Sequence, residues 1–168
     1  KTQLEFYGFI FSGDGVCTDP RKASAPKDGS EICSFLGMAN YCSCFIPHVS
    51  TLAAPLRDLT KKDEPWHWGE TEKSAFQTLK QSLKSERIMS YFNSCREIEL
   101  IVDASPVGLD AILTQKHKGK QYVIAYGSRL LSDVQKRYSQ TECEALAIVW
   151  SCEYFHLYLY GSPLTLVT

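Results

Sequence analysis

The chain has 168 residues, with 18 Lys and Arg against 19 Asp and Glu, 44% apolar residues and 12% aromatic residues. This length suits one domain or two small ones. The near-neutral charge and ordinary apolar content exclude a disordered chain and a basic nucleic-acid-binding tail, so any contact with nucleic acid must come from local patches. The sequence has neither an apolar run of about 18 residues nor a signal peptide, from which we expect an intracellular protein, cytoplasmic or nuclear, with no membrane partner.

The first predicted element is a β-strand over residues 4–11, which is rich in aromatic and apolar residues and leads into a Ser-Gly-Asp-Gly turn at residues 12–15. Asp28, Ser30 and Glu31 then provide capping residues for a helix. The apolar positions of that helix recur at i, i+3, i+4 and i+7 and are occupied by Ile32, Phe35, Leu36 and Ala39.

Two further helices follow. The second is predicted over residues 52–60, with Pro55 tolerable only in its first turn because proline lacks a backbone N–H. The third is predicted from about Thr71, and its apolar stripe comprises Ala75, Phe76, Leu79 and Leu83. The first half of the chain is therefore predicted to be mostly helical.

The hydrophobic pattern changes near residue 91. Residues 98–103 alternate apolar and polar side chains, which predicts a strand that ends at an acidic residue. Two more strands are predicted over residues 111–115 and 122–128, joined as a hairpin through the polar tip at residues 117–120.

A long apolar helix is predicted next, ending near Tyr160. Ser139 and Glu142 have capping-box spacing at its start, and Thr141 has the same spacing to Glu144. A last strand is predicted over residues 164–167. The order predicts three antiparallel strands, a helix and a strand that pairs in parallel with the first, an α/β (α+β) fold with a mixed sheet.

The seven cysteines are an odd number at irregular spacings, and several fall within apolar helical patterns. They predict free thiols in a reducing compartment, with no bound metal. Cys42, Cys44 and His48 form a C-x-C-x3-H cluster that could be read as a zinc site, but the cluster lacks a nearby fourth ligand and the usual C-x2-C spacing.

Two groups of polar residues are candidates for function. Asp103 closes a strand and is followed by small residues, so its carboxylate could bind a metal ion or could simply cap a turn. Lys116, Lys118 and Lys120 surround the hairpin tip, where they could contact phosphates or remain solvated.

Several long motifs resemble one family in one order along the chain. IVDASPVGLDAILTQ, VIAYGSRLLSDVQKRYSQTECEALAIVW and FHLYLYGSPLTLVT are similar to the ribonuclease H domain of gypsy-type LTR retrotransposon Pol polyproteins. FYGFIFSGDGVCTDPRKASAP and the helical motifs after it resemble the end of the same family's reverse transcriptase. The resemblance implies a reverse-transcriptase palm end, thumb and junction over residues 1–90, and a truncated ribonuclease H-like domain over residues 91–168.

The resemblance also implies an activity and a site. Ribonuclease H hydrolyses the RNA strand of an RNA/DNA hybrid with two divalent ions, Mg2+ or Mn2+, so the implied partners are the hybrid and the rest of the Pol polyprotein, without a small-molecule cofactor. Asp103 would be the first metal ligand. Glu144 would be the second by motif, although helical periodicity does not separate it from Glu142, and a capping role with Thr141 stays open.

The sequence departs from the family pattern in several places. The third carboxylate is expected in an Asp-His pair directly after the strand that ends at Thr168, and neither that pair nor the polymerase Tyr-x-Asp-Asp motif is present. Asp110 replaces a small residue and Cys44 a basic one. We therefore expect a fragment that is inactive alone, with a non-catalytic remnant that binds nucleic acid or protein as the alternative.

Overall fold

The structure is a computed structural model, and it describes residues 4–6, 9–12, 15–18, 26–61, 66–84 and 89–168, the first three segments as backbone only. Near the N-terminus, strands β1 (Leu4–Phe6), β2 (Phe9–Ser12) and β3 (Gly15–Thr18) form an antiparallel sheet. The single strand predicted over residues 4–11 is wrong, because β1 and β2 are two strands that pair antiparallel, with Phe6 opposite Phe9. Part of the predicted turn, residues 13–14, lies outside the described residues.

Helix α1 (Gly29–Tyr41) begins where the capping residues predict. The Asp28 carboxylate accepts a hydrogen bond from the Glu31 N–H at 2.8 Å, which satisfies one of the free donors of the first turn. All four residues of the predicted apolar stripe are buried in this helix: Ile32, Phe35, Leu36 and Ala39.

A short 3-10 turn, Ser43–Phe45, connects α1 to helix α2 (Val49–Asp58), and helix α3 (Glu70–Lys84) follows. Helix α2 begins three residues earlier than predicted, so Pro55 lies well past the first turn, and the prediction for this proline is wrong. The predicted stripe of α3 packs against α1 and α2 in a separate apolar cluster.

The second half forms a four-stranded mixed sheet, as predicted. Strands β4 (Glu97–Ala104), β5 (Gly108–His117) and β6 (Lys120–Leu130) are antiparallel, and β7 (Leu164–Val167) pairs in parallel with β4. The sheet order is β6-β5-β4-β7. The fold is therefore α/β, which confirms the predicted class.

Helix α4 (Gln140–Tyr154) is shorter than the helix predicted to reach residue 160. Phe155 ends it, and a short helix α5 (His156–Leu159) follows. Apolar side chains of β4 and β5 form one buried core with α4. Because alternate residues of a strand point to opposite faces, the residues between these core positions lie on the other face of the sheet.

Helix α2 packs onto the sheet at strand β6. The Ser50 N–H donates to Ser128 Oγ at 3.1 Å, and the Ser50 hydroxyl donates to the Ser128 carbonyl at 2.9 Å. The helical segment and the sheet thus share direct polar contacts, while the division at residues 90 and 91 stays a prediction. Among the residues that the structure describes, no helix combines the length and the apolar character that a membrane span requires.

Candidate functional site

A cavity of about 200 Å³ lies where the end of strand β4 faces the first turns of helix α4. Asp103 from the strand and Glu144 from the helix both contribute to its wall, together with Val102, Ala104, Ala147 and Thr168. Both residues that the sequence singled out therefore line one cavity at the end of strand β4. Within the described residues, neither carboxylate forms an ion pair.

The start of α4 separates the roles of the two glutamates. Ser139 is the N-cap, and its hydroxyl accepts from the Glu142 N–H at 3.4 Å. The Glu142 carboxylate accepts in return from the Ser139 N–H at 2.7 Å and from its hydroxyl at 2.8 Å. These bonds, the backbone one first, lower the pKa of Glu142. Glu142 therefore serves the capping box, and the Thr141–Glu144 alternative does not form.

Glu144 follows two residues later, which rotates its side chain by about 200° around the helix from Glu142. Gln140 fixes this side chain against the strand. Its Nε2 group donates to Glu144 Oε1 at 3.1 Å and to the Ala104 carbonyl at 3.1 Å. Sequence reasoning missed Gln140, although its i, i+4 spacing from Glu144 is a known pattern of side-chain contact on helices.

The three lysines of the hairpin lie far from the cavity. In the β4–β5 ladder, Lys116 lies opposite Glu97, six residues along β4 from Asp103. At about 3.3 Å per residue, Lys116 is therefore about 20 Å from Asp103 along the strand. Lys116 Nζ lies 2.6 Å from Glu99 Oε2, and this hydrogen-bonded pairing raises the lysine pKa.

Lys118 and Lys120 are exposed at the hairpin tip. The two central residues of the turn, Lys118 and Gly119, have φ 51° and φ 73°. Left-handed conformations at both central positions are those of a type I′ turn. The tip thus presents two lysines to solvent at the end of the sheet away from Asp103.

The C-x-C-x3-H residues are divided between two environments. Cys42 is buried in the helical cluster, and Cys44 packs against the core of the sheet. Burial raises the pKa of Cys44 to about 11, with a further contribution from Cys42. His48 Nδ1 lies 2.9 Å from Asp110 Oδ2. The cysteines whose side chains are described are free thiols: Cys33, Cys42, Cys44, Cys95, Cys143 and Cys152.

Comparison with solved structures shows the fold. The chain superimposes on a foamy viral protease-reverse transcriptase, termed dRH, in complex with double-stranded DNA, with a TM-score of 0.82 and 18% identity over 99% of this chain and 30% of that one. A foamy viral protease-reverse transcriptase in complex with RNA/DNA hybrid gives a TM-score of 0.80 and 19% identity over 98% of this chain and 23% of that one.

Sequence comparison gives closer relatives. The Tf2-3 and Tf2-4 transposon polyproteins of Schizosaccharomyces pombe are each 36% identical to this chain over 166 residues, which is 95% of this chain and 12% of each polyprotein. The chain thus spans about an eighth of the length of these relatives. They confirm the predicted resemblance to gypsy-type retrotransposon polyproteins. Residues 68–166 match the model of the RNase H-like domain found in reverse transcriptase, and the chain belongs to that family.

Proposed function

We propose that this chain contributes the first part of a ribonuclease H that hydrolyses the RNA strand of RNA/DNA hybrids with two divalent ions, Mg2+ or Mn2+. The observation that carries the proposal is the cavity shared by Asp103 and Glu144, whose carboxylates have no ion-pair partner within the described residues. Two carboxylates at the wall of one cavity are oxygen ligands of the kind that divalent cations such as Mg2+ bind.

The donor set suits hard divalent cations. Mg2+ prefers carboxylate oxygens and retains several of its waters, and a cavity of about 200 Å³ has room for them. Asp103 and Glu144 would hold the ions, and Gln140 would keep Glu144 turned toward the strand through its 3.1 Å hydrogen bond. When bound, the ions would supply electrostatic stabilisation of the charge that develops on the phosphate.

The register of β7 supports the same assignment. Ile98 pairs with Leu164 and Ile101 with Val167, so Thr168 continues the register opposite Val102. One further residue of this strand, in a longer segment of the polyprotein, would lie beside Asp103. The family resemblance puts an Asp-His pair at that point, which would bring a third carboxylate to the ions.

For the nucleic acid, we propose an RNA/DNA hybrid whose phosphates contact the hairpin tip. Lys118 and Lys120 are exposed there, whereas Lys116 is paired with Glu99. Lysine contacts to phosphate are independent of sequence and weaken as salt rises. The tip would therefore add affinity along the duplex at about 20 Å from the cleavage site.

The test is a cleavage assay with a polyprotein segment that continues past Thr168, using a hybrid with labelled RNA and a DNA duplex as substrates in Mg2+ and in Mn2+. We expect cleavage of the hybrid RNA alone, and a loss of at least about 100-fold in Asp103→Asn, because removal of a charged ligand costs several kcal/mol of transition-state stabilisation. Asp133→Asn, which changes an exposed aspartate paired with Lys136, is the matched control and should cleave normally. A parent segment that leaves the hybrid intact would instead support a non-catalytic binding module.

A further inference from the structure

His48 has an unusual position at the N-terminus of helix α2. It is the N-cap residue with φ 52° and ψ 29°, a left-handed conformation that a residue other than glycine adopts uncommonly. Its side chain makes no capping hydrogen bond. Its Nδ1 atom instead lies 2.9 Å from Asp110 Oδ2, between the helical segment and the sheet.

Asp110 lies in the same row of the sheet as Asp103. The two residues are direct partners in the antiparallel β4–β5 ladder, so their side chains are on one face with Cβ atoms about 4.5–5.5 Å apart. Asp110 is only 7% exposed, and its Oδ1 atom is buried without a hydrogen-bond partner among the described residues. Like charges directly opposite each other on a sheet are unfavourable, and two such carboxylates attract a divalent cation.

We propose that His48 is a positioning residue for the metal site, because it masks Asp110 and thereby leaves Asp103 free to share the cation with Glu144. This inference rests on the proposed function. With His48 in place, Asp110 Oδ2 contacts the imidazole and Asp110 Oδ1 is buried. Without it, Asp103 and Asp110 would form a competing pair of carboxylates on the sheet face, and the cation would move away from Glu144.

The perturbation can be made without straining the backbone. Glycine adopts φ 52° readily, so His48→Gly removes the imidazole and retains the helix start. Lys118→Gly is the matched control, because Lys118 has φ 51° on the distant hairpin tip and the same change leaves Asp110 untouched. The double variant His48→Gly and Asp110→Asn removes both the imidazole and the negative charge of the Asp110 carboxylate that it contacts.

The experiment is paramagnetic broadening of backbone amide signals by substoichiometric Mn2+ in the isotope-labelled chain. In the parent and in Lys118→Gly we expect broadening at Asp103 and Glu144. Broadening falls steeply with distance from the Mn2+ ion, so in His48→Gly we expect it to weaken at Glu144 and to strengthen at Asp110. In the double variant the parent pattern should return, which a merely structural role of His48 would not produce.

Three outcomes would overturn the masking role. His48→Gly could keep the parent pattern, the double variant could fail to restore it, or His48→Gly could lose its dispersed spectrum, which would make the histidine a stability determinant instead. A parent chain without broadening at Asp103 and Glu144 would count against the proposed function itself. The two proposals therefore fail in distinguishable ways.

Discussion

The roles of the two glutamates at the start of α4 can be separated by a pair of matched substitutions. Ser139→Ala removes the hydroxyl that accepts from the Glu142 N–H and donates to the Glu142 carboxylate at 2.8 Å. Replacing an N-cap serine by alanine costs about 1 kcal/mol, and for a chain of this length that lowers Tm by about 2 to 4 °C. Glu142→Gln should lower Tm less, because an amide oxygen still accepts from Ser139 but lacks the charge that favours a helix N-terminus.

Glu144→Gln should behave in the opposite way. Its side chain takes no part in the cap, so Tm without metal should change by no more than about 2 °C, as for most exposed substitutions. A ligand that binds only the folded state raises Tm, and Mn2+ should therefore stabilise the parent, Ser139→Ala and Glu142→Gln. Glu144→Gln should lose most of this Mn2+-dependent rise.

The assay is thermal unfolding followed by circular dichroism at 222 nm, with each variant measured in EDTA and in Mn2+. Asp133→Asn again serves as the control for removal of an exposed carboxylate. The assignment would be refuted if Glu142→Gln abolished the rise in Tm caused by Mn2+ while Glu144→Gln preserved it.

Three further predictions concern glycines and thiols. By urea unfolding, Gly37→Ala should add about 0.5 to 1 kcal/mol because it lies inside α1 with open space around it, whereas Gly127→Ala should cost about 1 to 2 kcal/mol because a Cβ there would meet the Tyr154 ring at 3.0 Å. Maleimide should label the exposed Cys33 and Cys95 before the other described thiols, as mass spectrometry of the digested protein would show. Stability should fall between pH 9 and 11, because Cys44 ionises near 9.0 when unfolded but near 11 when folded, and pH-dependent urea unfolding should show a smaller decrease in Cys44→Ala.

The sheet could be predicted because its signals are local. Residues 98–103 alternate with period two, and the type I′ hairpin at Lys118 and Gly119 is typical of a two-residue polar tip. The parallel pairing of β7 with β4 follows from the intervening helix, since a parallel connection needs a long crossover. The position of Asp103 and Glu144 at one cavity depends on this same order of elements.

Other features could not be predicted, because they depend on a choice between two equivalent local patterns or on contacts between residues far apart in the chain. Ser139 and Thr141 have the same spacing to a glutamate, and the choice between them depends on which backbone is extended at the cap, here Ser139 with ψ 161°. The pair of His48 and Asp110 joins residues far apart in the chain, which no periodic pattern reports. Pro55 is accommodated inside α2 although its local effect on a helix is unfavourable.

The central claim, that Asp103 and Glu144 together hold the divalent ions, is tested most directly by anomalous X-ray diffraction from crystals containing Mn2+. The account predicts an anomalous peak in the cavity between β4 and α4, within about 2.0 to 2.3 Å of a carboxylate oxygen of each residue. In a polyprotein segment that continues past Thr168, a second peak is expected about 3.5 to 4 Å from the first. A peak elsewhere, with the Asp103 and Glu144 carboxylates bound only by water at saturating Mn2+, would contradict the claim.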